Sequence, residues 1–253
     1  MRVAVLVPDD SAISRLAAFA RTTFSNMGHE TVLVAHPAET LGGTFSSRCR
    51  KVGFWTALDE TAYALFEGWA SPWTDALTHI GLTSPAEFDA WIADTRSAEI
   101  GHVIRQISAD LLVAIGCTQI NISALPRGLI ALNIHPGVLP RYKGVGSPEA
   151  LILDRPKQVG YTIHRLTSRL DEGDVFLRKR QETLGGFNAP QLYLGCYLSA
   201  IKDLAINLDR VVDSEWPVAD DFAFSAPAIE RPLWRLTLSG VLIHKARSFC
   251  RSS

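Results

Sequence analysis

Asn133 and His135 stand two positions apart at the end of an apolar run, in the stretch ALNIHPGVLPRYKG over residues 131–144. On an extended backbone, residues i and i+2 point to the same face, so this amide and imidazole can converge on one bound atom. A neutral amide donor beside an imidazole suits stabilising an oxyanion while a proton moves. Asp171 follows in a tight turn, LDEGD. A carboxylate near the imidazole would favour its charged form. Arg141 and Lys143 add positive charge in the loop after Pro136. No serine or cysteine sits in a GxSxG elbow, so covalent acyl transfer is not indicated. Direct transfer between two bound substrates fits better, with proximity supplying much of the acceleration.

The elements that carry these residues read as an α/β chain. Residues 2–8, RVAVLVP, form a continuous apolar run of the kind buried on both faces of a parallel sheet. Apolar residues at helical spacing follow from Ile13 to Met27, and Gly28 sits where a C-terminal cap belongs. Residues 31–35, TVLVA, then give a second strand and complete a β-α-β unit. A dinucleotide fingerprint is absent, because the first turn reads PDDSAIS where GxGxxG would be needed. Ser11, Ser14 and Arg15 at this helix start are candidates for a single phosphate group, against the plainer reading of an N-cap and a surface arginine.

Residues 36–85 are the least regular. Their basic triad, Arg48, Arg50 and Lys51, reads as a solvated loop, and Trp55, Trp69 and Trp73 as core or lid residues. The pattern over 86–107 is helical; strands are expected at 111–115, 129–135, 159–166 and 175–180, with a short helix at 147–153. Asn188 and Pro190 open an amphipathic helix reaching Leu208. In open α/β sheets ligands sit outside the carboxyl ends of strands, which is where Asn133 and His135 fall. His164, on the strand before the LDEGD turn, reads as structural.

Composition is that of an ordinary globular protein: 253 residues, 47% hydrophobic and 20% charged, with a net charge of −1. Nothing marks a general nucleic-acid or membrane binder. Cys49, Cys117, Cys196 and Cys250 are scattered without a CxxC, which favours free thiols, and no His/Cys pair has zinc-ligand spacing. With no signal-peptide pattern and no long apolar run, a cytoplasmic location is expected.

The two stretches ALNIHPGVLPRYKGVGSPEALI and VGYTIHRLTSRLDEGDVFLR together resemble the folate-dependent formyltransferases. The signature of that family is Asn-x-His-Pro-Ser-Leu-Leu-Pro, a following glycine, and a later Leu-Asp-x-Gly. The resemblance runs from residue 110 to residue 208, with Gly137 in place of the usual serine and Lys143 where arginine is common.

It implies a Rossmann-like, mostly parallel sheet flanked by helices, the formyltransferase fold, with a short C-terminal extension. Residues 1–210 would be the catalytic core, and residues 211–253 an extension of hairpin or loop character. Asn133, His135 and Asp171 fall on the catalytic Asn, His and Asp of the family. N10-formyltetrahydrofolate would be the co-substrate, held by Leu139, Pro140, Gly144, Leu170 and Gly173. By their charge and position, and not by the resemblance, Arg141, Lys143, Ser11 and Arg15 are the candidates to meet the second substrate; no metal is expected.

The chain looks too short for the appended barrel of methionyl-tRNA formyltransferases, and its first turn lacks the glycine-rich loop of glycinamide ribonucleotide formyltransferases. The nucleotide-sugar N-formyltransferases remain, acting on GDP- or dTDP-linked 4-amino-4,6-dideoxyhexoses such as GDP-perosamine for O-antigen and lipopolysaccharide synthesis. The alternatives are another amine formyltransferase, such as one for phosphoribosylglycinamide, or a formyltetrahydrofolate hydrolase. A homodimer contact through the aromatic C-terminal segment is a further expectation.

Overall fold

The computed structural model describes residues 1–38, 84–117, 119–140, 159–181 and 189–213, with shorter pieces at 49–50, 53–55, 57–59, 61–62, 77, 81–82, 143, 216 and 219–221. The expected helix at 147–153, the side chains of Arg48, Lys51, Trp69 and Trp73, and most of the C-terminal extension lie outside these residues.

Eight strands form one sheet: β1 (Arg2–Asp9), β2 (Glu30–Pro37), β3 (Ala90–Trp91), β4 (Leu111–Ile115), β5 (Ile130–His135), β6 (Gly160–Arg165), β7 (Val175–Arg180) and β8 (Ala219–Asp220). Their spatial order is β3-β2-β1-β4-β5-β6-β7-β8. The first five in this order run parallel, β6 runs antiparallel to both neighbours, and β8 lies parallel to β7. The start of the C-terminal segment therefore adds an edge strand to the core sheet.

Period-2 alternation sorts the strands into two apolar layers. Val3, Val5 and Val7 of β1 join Leu111, Val113, Ile115, Leu132 and Ile134 on one face. That face is covered by α1 (Ser11–Asn26), through Leu16, Ala17, Ala20 and Phe24, and by α3 (Ala189–Ile206), through Leu194, Tyr197, Ile201 and Leu204. Ala4, Leu6, Val34, Leu112 and Ala131 point to the opposite face, against Ile100 and Ile104 of the shorter α2 (Glu99–Gln106). Among the described residues the second face is thus roofed over a shorter length. A last short helix, α4 (Leu208–Val212), buries Leu208 and Val211 in the first layer.

The segment at 86–107 is not one helix. Residues 90–91 pair with Val34 and Ala35 as an edge strand, and only Glu99–Gln106 is helical. The reason is local: the Glu99 carboxylate accepts the backbone N–H groups of Ala93 and Asp94 at 3.0 and 3.2 Å, while Asp94 accepts from Arg96 N at 2.9 Å. Such side-chain bonds offer the backbone an alternative to the helix ladder. Trp55, expected as core or lid, is 78% exposed. Among the described residues no helix is long and apolar enough to cross a membrane.

Candidate active site

Leu132 and Ile134 of β5 point into the larger apolar layer, which leaves Asn133 and His135 on the opposite face. β6 runs antiparallel beside this end, with Asn133 opposite His164 and His135 opposite Thr162. Directly opposed residues of an antiparallel pair share a face. Tyr161 and Ile163 accordingly join the apolar layer while Thr162 and His164 join the polar group. Asn133, His135, Thr162 and His164 are all buried. Polar groups persist in such a place only when partnered.

Asn133 Nδ2 lies 3.1 Å from His164 Nε2. The other nitrogen, His164 Nδ1, lies 3.0 Å from the Arg165 carbonyl oxygen. A carbonyl only accepts, so Nδ1 carries a proton in either charge state. Nε2 then has two states. Unprotonated, it accepts from the Asn133 amide; protonated, it presents N–H to Asp171. His164, which the sequence placed in the scaffold, is a member of the polar cluster. The ladder between β6 and β7 shifts register beside it, between Ile163 and His164, and such irregularities re-aim side chains. The i, i+2 pair Thr162 and His164, read against Asn133 and His135 in antiparallel register, is the signal that could have found it.

Asp171 arrives from the turn after β6, with a φ of 55°. Aspartate adopts this left-handed conformation more readily than most residues. Two positions on, a Cβ added to Gly173 would lie 1.8 Å from the Arg165 carbonyl oxygen. The turn folds back that tightly, and Arg165 N donates to the Asp174 carbonyl at 2.9 Å. Asp171 is thereby held between two imidazoles, Oδ2 at 3.8 Å from His135 Nδ1 and Oδ1 at 3.6 Å from His164 Nε2. Both separations exceed a hydrogen bond but lie within ion-pair range. Burial of all three side chains strengthens the attraction of the carboxylate for an imidazole that takes up a proton.

The loop leaving β5 is tied to the neighbouring strands. Thr162 Oγ1 donates to the Gly137 carbonyl at 2.7 Å and accepts from Leu139 N at 3.1 Å. The buried Arg178 guanidinium donates to the Leu139 carbonyl. Leu139 is 2% exposed, its peptide bond to Pro140 is cis, and neither residue is among the described residues lining the adjacent cavity. That cavity encloses about 440 Å³. Its walls include Asn133, His164 and Asp171 from the cluster, Cys117, Gln119 and Asn121 from the loop after β4, and Leu166 to Asp171 from the turn after β6.

Of the other expected contacts, Leu170 lines the cavity and Gly173 serves the close approach of the turn. Lys143 Nζ pairs with Glu172 Oε1 at 2.9 Å, and this holds the Glu172 carboxyl below its ordinary range. Gly144 and Arg141 lie outside the described residues, as does the Ser11 side chain. Ser11 begins α1, where Ile13 N donates to the Asp10 carboxylate at 3.2 Å, so a protein anion already caps this helix start. Arg15 lies on α1, and its buried Nε has no hydrogen-bond partner among the described residues. No group of three metal-ligating side chains occurs among the described residues.

The formyl transferase family model matches residues 67–193, half of the chain. A methionyl-tRNA formyltransferase of Rickettsia prowazekii is 32% identical over 128 residues, which is 46% of this chain and 40% of that protein. The match therefore spans less than half the length of this curated relative. Among solved structures, a sugar N-formyltransferase from a Shewanella species is similar with a TM-score of 0.55 and 15% identity, over 98% of this chain and 88% of that one. A glycinamide ribonucleotide transformylase from Symbiobacterium toebii gives 0.53 and 17%, over 85% and 88%. At these identities the two structural likenesses are likenesses of fold.

Proposed function

The chain belongs to the formyl transferase family, and on that premise we propose that it moves the formyl group of N10-formyltetrahydrofolate to the amine of a nucleotide-linked dideoxy amino sugar. The observation that carries the reading is the buried cluster of Asn133, His135, His164 and Asp171, of which Asn133, His164 and Asp171 line the cavity. This reading takes the cavity as the folate site. Its volume of about 440 Å³ falls within the range of small-molecule sites. Gln119, Asn121, Thr167 and Ser168 offer amides and hydroxyls to a heteroaromatic ring, while Arg96 and Arg169 suit the carboxylates at its other end.

When bound, the folate supplies an activated formyl carbon. Asn133 would donate an N–H to the formyl oxygen as charge develops there, its amide held by His164. His135 would take the proton released by the attacking amine, directly or through a water. Asp171, with its charge shared between the two imidazoles, would stabilise whichever of them is protonated.

For the acceptor, the full-length match of fold to the Shewanella sugar N-formyltransferase supports the amino-sugar reading. GDP- and dTDP-linked 4-amino-4,6-dideoxyhexoses, used in O-antigen synthesis, are the substrates of choice. Local sequence likeness favours a second reading, the amine of an aminoacylated tRNA. A net charge of −1 gives that polyanion little to bind. The proposal takes residues 1–210 as the catalytic core and the remainder as an extension. It also includes a cytoplasmic setting, and self-association through the extension that light scattering would read. A formyl-transfer assay with N10-formyltetrahydrofolate against nucleotide-linked amino sugars, glycinamide ribonucleotide and methionyl-tRNA tests the acceptor. Product from an amino sugar is expected; product from another acceptor alone would replace it.

A further inference from the structure

Cys117 in the cavity wall and His36 behind it form a pair of reactive groups that the formyl-transfer scheme does not use. Cys117 follows Gly116, whose φ of 71° turns the chain sharply out of β4. The cysteine lines the cavity and is partly exposed. His36, near the end of β2, reaches past the end of β1 to it, with Nε2 at 3.4 Å from Cys117 Sγ. His36 is 5% exposed, and its Nδ1 lies 2.8 Å from the Pro37 carbonyl oxygen. That carbonyl can only accept, so Nδ1 bears the proton, and when the ring is neutral Nε2 turns its lone pair toward the sulfur. The carbonyls of Leu6 and Ile115 also approach Sγ, at 3.4 and 3.8 Å. They can share the thiol proton; of these three acceptors, the imidazole is the base that can remove it.

We propose that Cys117 and His36 form a thiol–imidazole pair that makes the cavity wall a site of reversible oxidation by hydrogen peroxide, and that the oxidised sulfur closes the cavity to its ligand. His36 Nε2 takes the thiol proton, leaving a thiolate, which is the nucleophilic form of cysteine. The thiolate attacks one peroxide oxygen, so a sulfur–oxygen bond forms and the oxygen–oxygen bond breaks. Sulfur is oxidised by two electrons, and peroxide is reduced to water as the departing hydroxide collects the proton from His36. The resulting sulfenic acid is bulkier and polar, and added thiols return it to the reduced state. Two other thiols serve as internal references. Cys196 is buried and its thiol is pushed up to about 12 by burial, while Cys49 is partly exposed.

The experiment treats the full chain with hydrogen peroxide and traps sulfenic acid with dimedone, reading each cysteine by peptide mass spectrometry. Cys117 is expected to be labelled about tenfold faster than Cys49, and His36→Gln to remove that advantage. Labelling of Cys117 no faster than Cys49, or unchanged in the folded His36→Gln protein, would overturn the proposal. If His36→Gln does not fold, the comparison within the wild-type chain decides. Closure rests on the folate reading of the cavity and is read separately, from 5-formyltetrahydrofolate binding before and after oxidation. Loss of binding that Cys117→Ser escapes is expected; binding unchanged by full oxidation would overturn closure. No binding by the reduced protein would instead count against the folate reading, leaving the labelling result to stand by itself.

Discussion

Asn133 and His164 oppose one another across the β5–β6 ladder, and their side chains meet at 3.1 Å. Because the Arg165 carbonyl fixes Nδ1 as a donor, Nε2 is the atom through which His164 orients the amide. His164→Ala is expected to lower kcat about a hundredfold, the scale of a misplaced reacting group, with KM little changed. His164→Gln, which keeps a polar atom in reach of the amide, should recover part of the loss. Steady-state kinetics on the folded variants read this, and an unchanged kcat would remove His164 from the account.

The best probe of Asp171 is Asp171→Asn. Asparagine tolerates the φ of 55° that alanine would not, so the turn is preserved while the charge between the two imidazoles is lost. Turnover should fall by about 10²–10⁴, the contribution typical of acid–base catalysis. Circular dichroism should be unchanged, which separates lost chemistry from lost fold.

Thr162→Val tests how the loop after β5 is held. The change removes the hydroxyl that joins Gly137 O and Leu139 N, leaving a buried N–H without its partner. A loss of about 1–3 kcal/mol is expected from urea denaturation. A neutral result would mean that the Arg178 contact to Leu139 holds the loop by itself.

Alkaline pH should destabilise the fold. Burial pushes the Cys196 thiol up to about 12, and the phenols of Tyr161 and Tyr197 well above their ordinary range; an Asp203 hydrogen bond adds to the Tyr161 shift. The unfolded chain gives up these protons from about pH 8.5 for cysteine and about 10 for tyrosine. Their contribution is therefore complete below that range and is lost as pH rises through the folded values. The urea midpoint should be lower at about pH 11 than at about pH 8, and an equal or higher midpoint would contradict the assignment.

Much of the site was legible in the chain. Asn133, His135 and Asp171 announced themselves by type, spacing and turn context, and the structure brings all three together. His164 was not legible, because its role depends on the antiparallel register of β5 and β6, which pattern alone does not assign. Leu139 was ambiguous in another way: its apolar side chain suits a folate wall and the core equally, and its backbone is held by Thr162 and Arg178. The strands of the buried sheet read clearly because they are short, apolar and bounded. Residues 86–107 did not, since an edge strand, an acid-capped turn and a helix follow one another with apolar spacing that mimics one long helix.

The central claim is that this buried cluster transfers a formyl group from folate to an amine. It is tested most directly by the turnover and the folate affinity of Asn133→Ala and His135→Ala, measured beside the unaltered chain with N10-formyltetrahydrofolate and the best acceptor. The account predicts folate binding within a fewfold of normal and turnover reduced by about 10²–10⁴ in each variant. Turnover near normal in either one would contradict it.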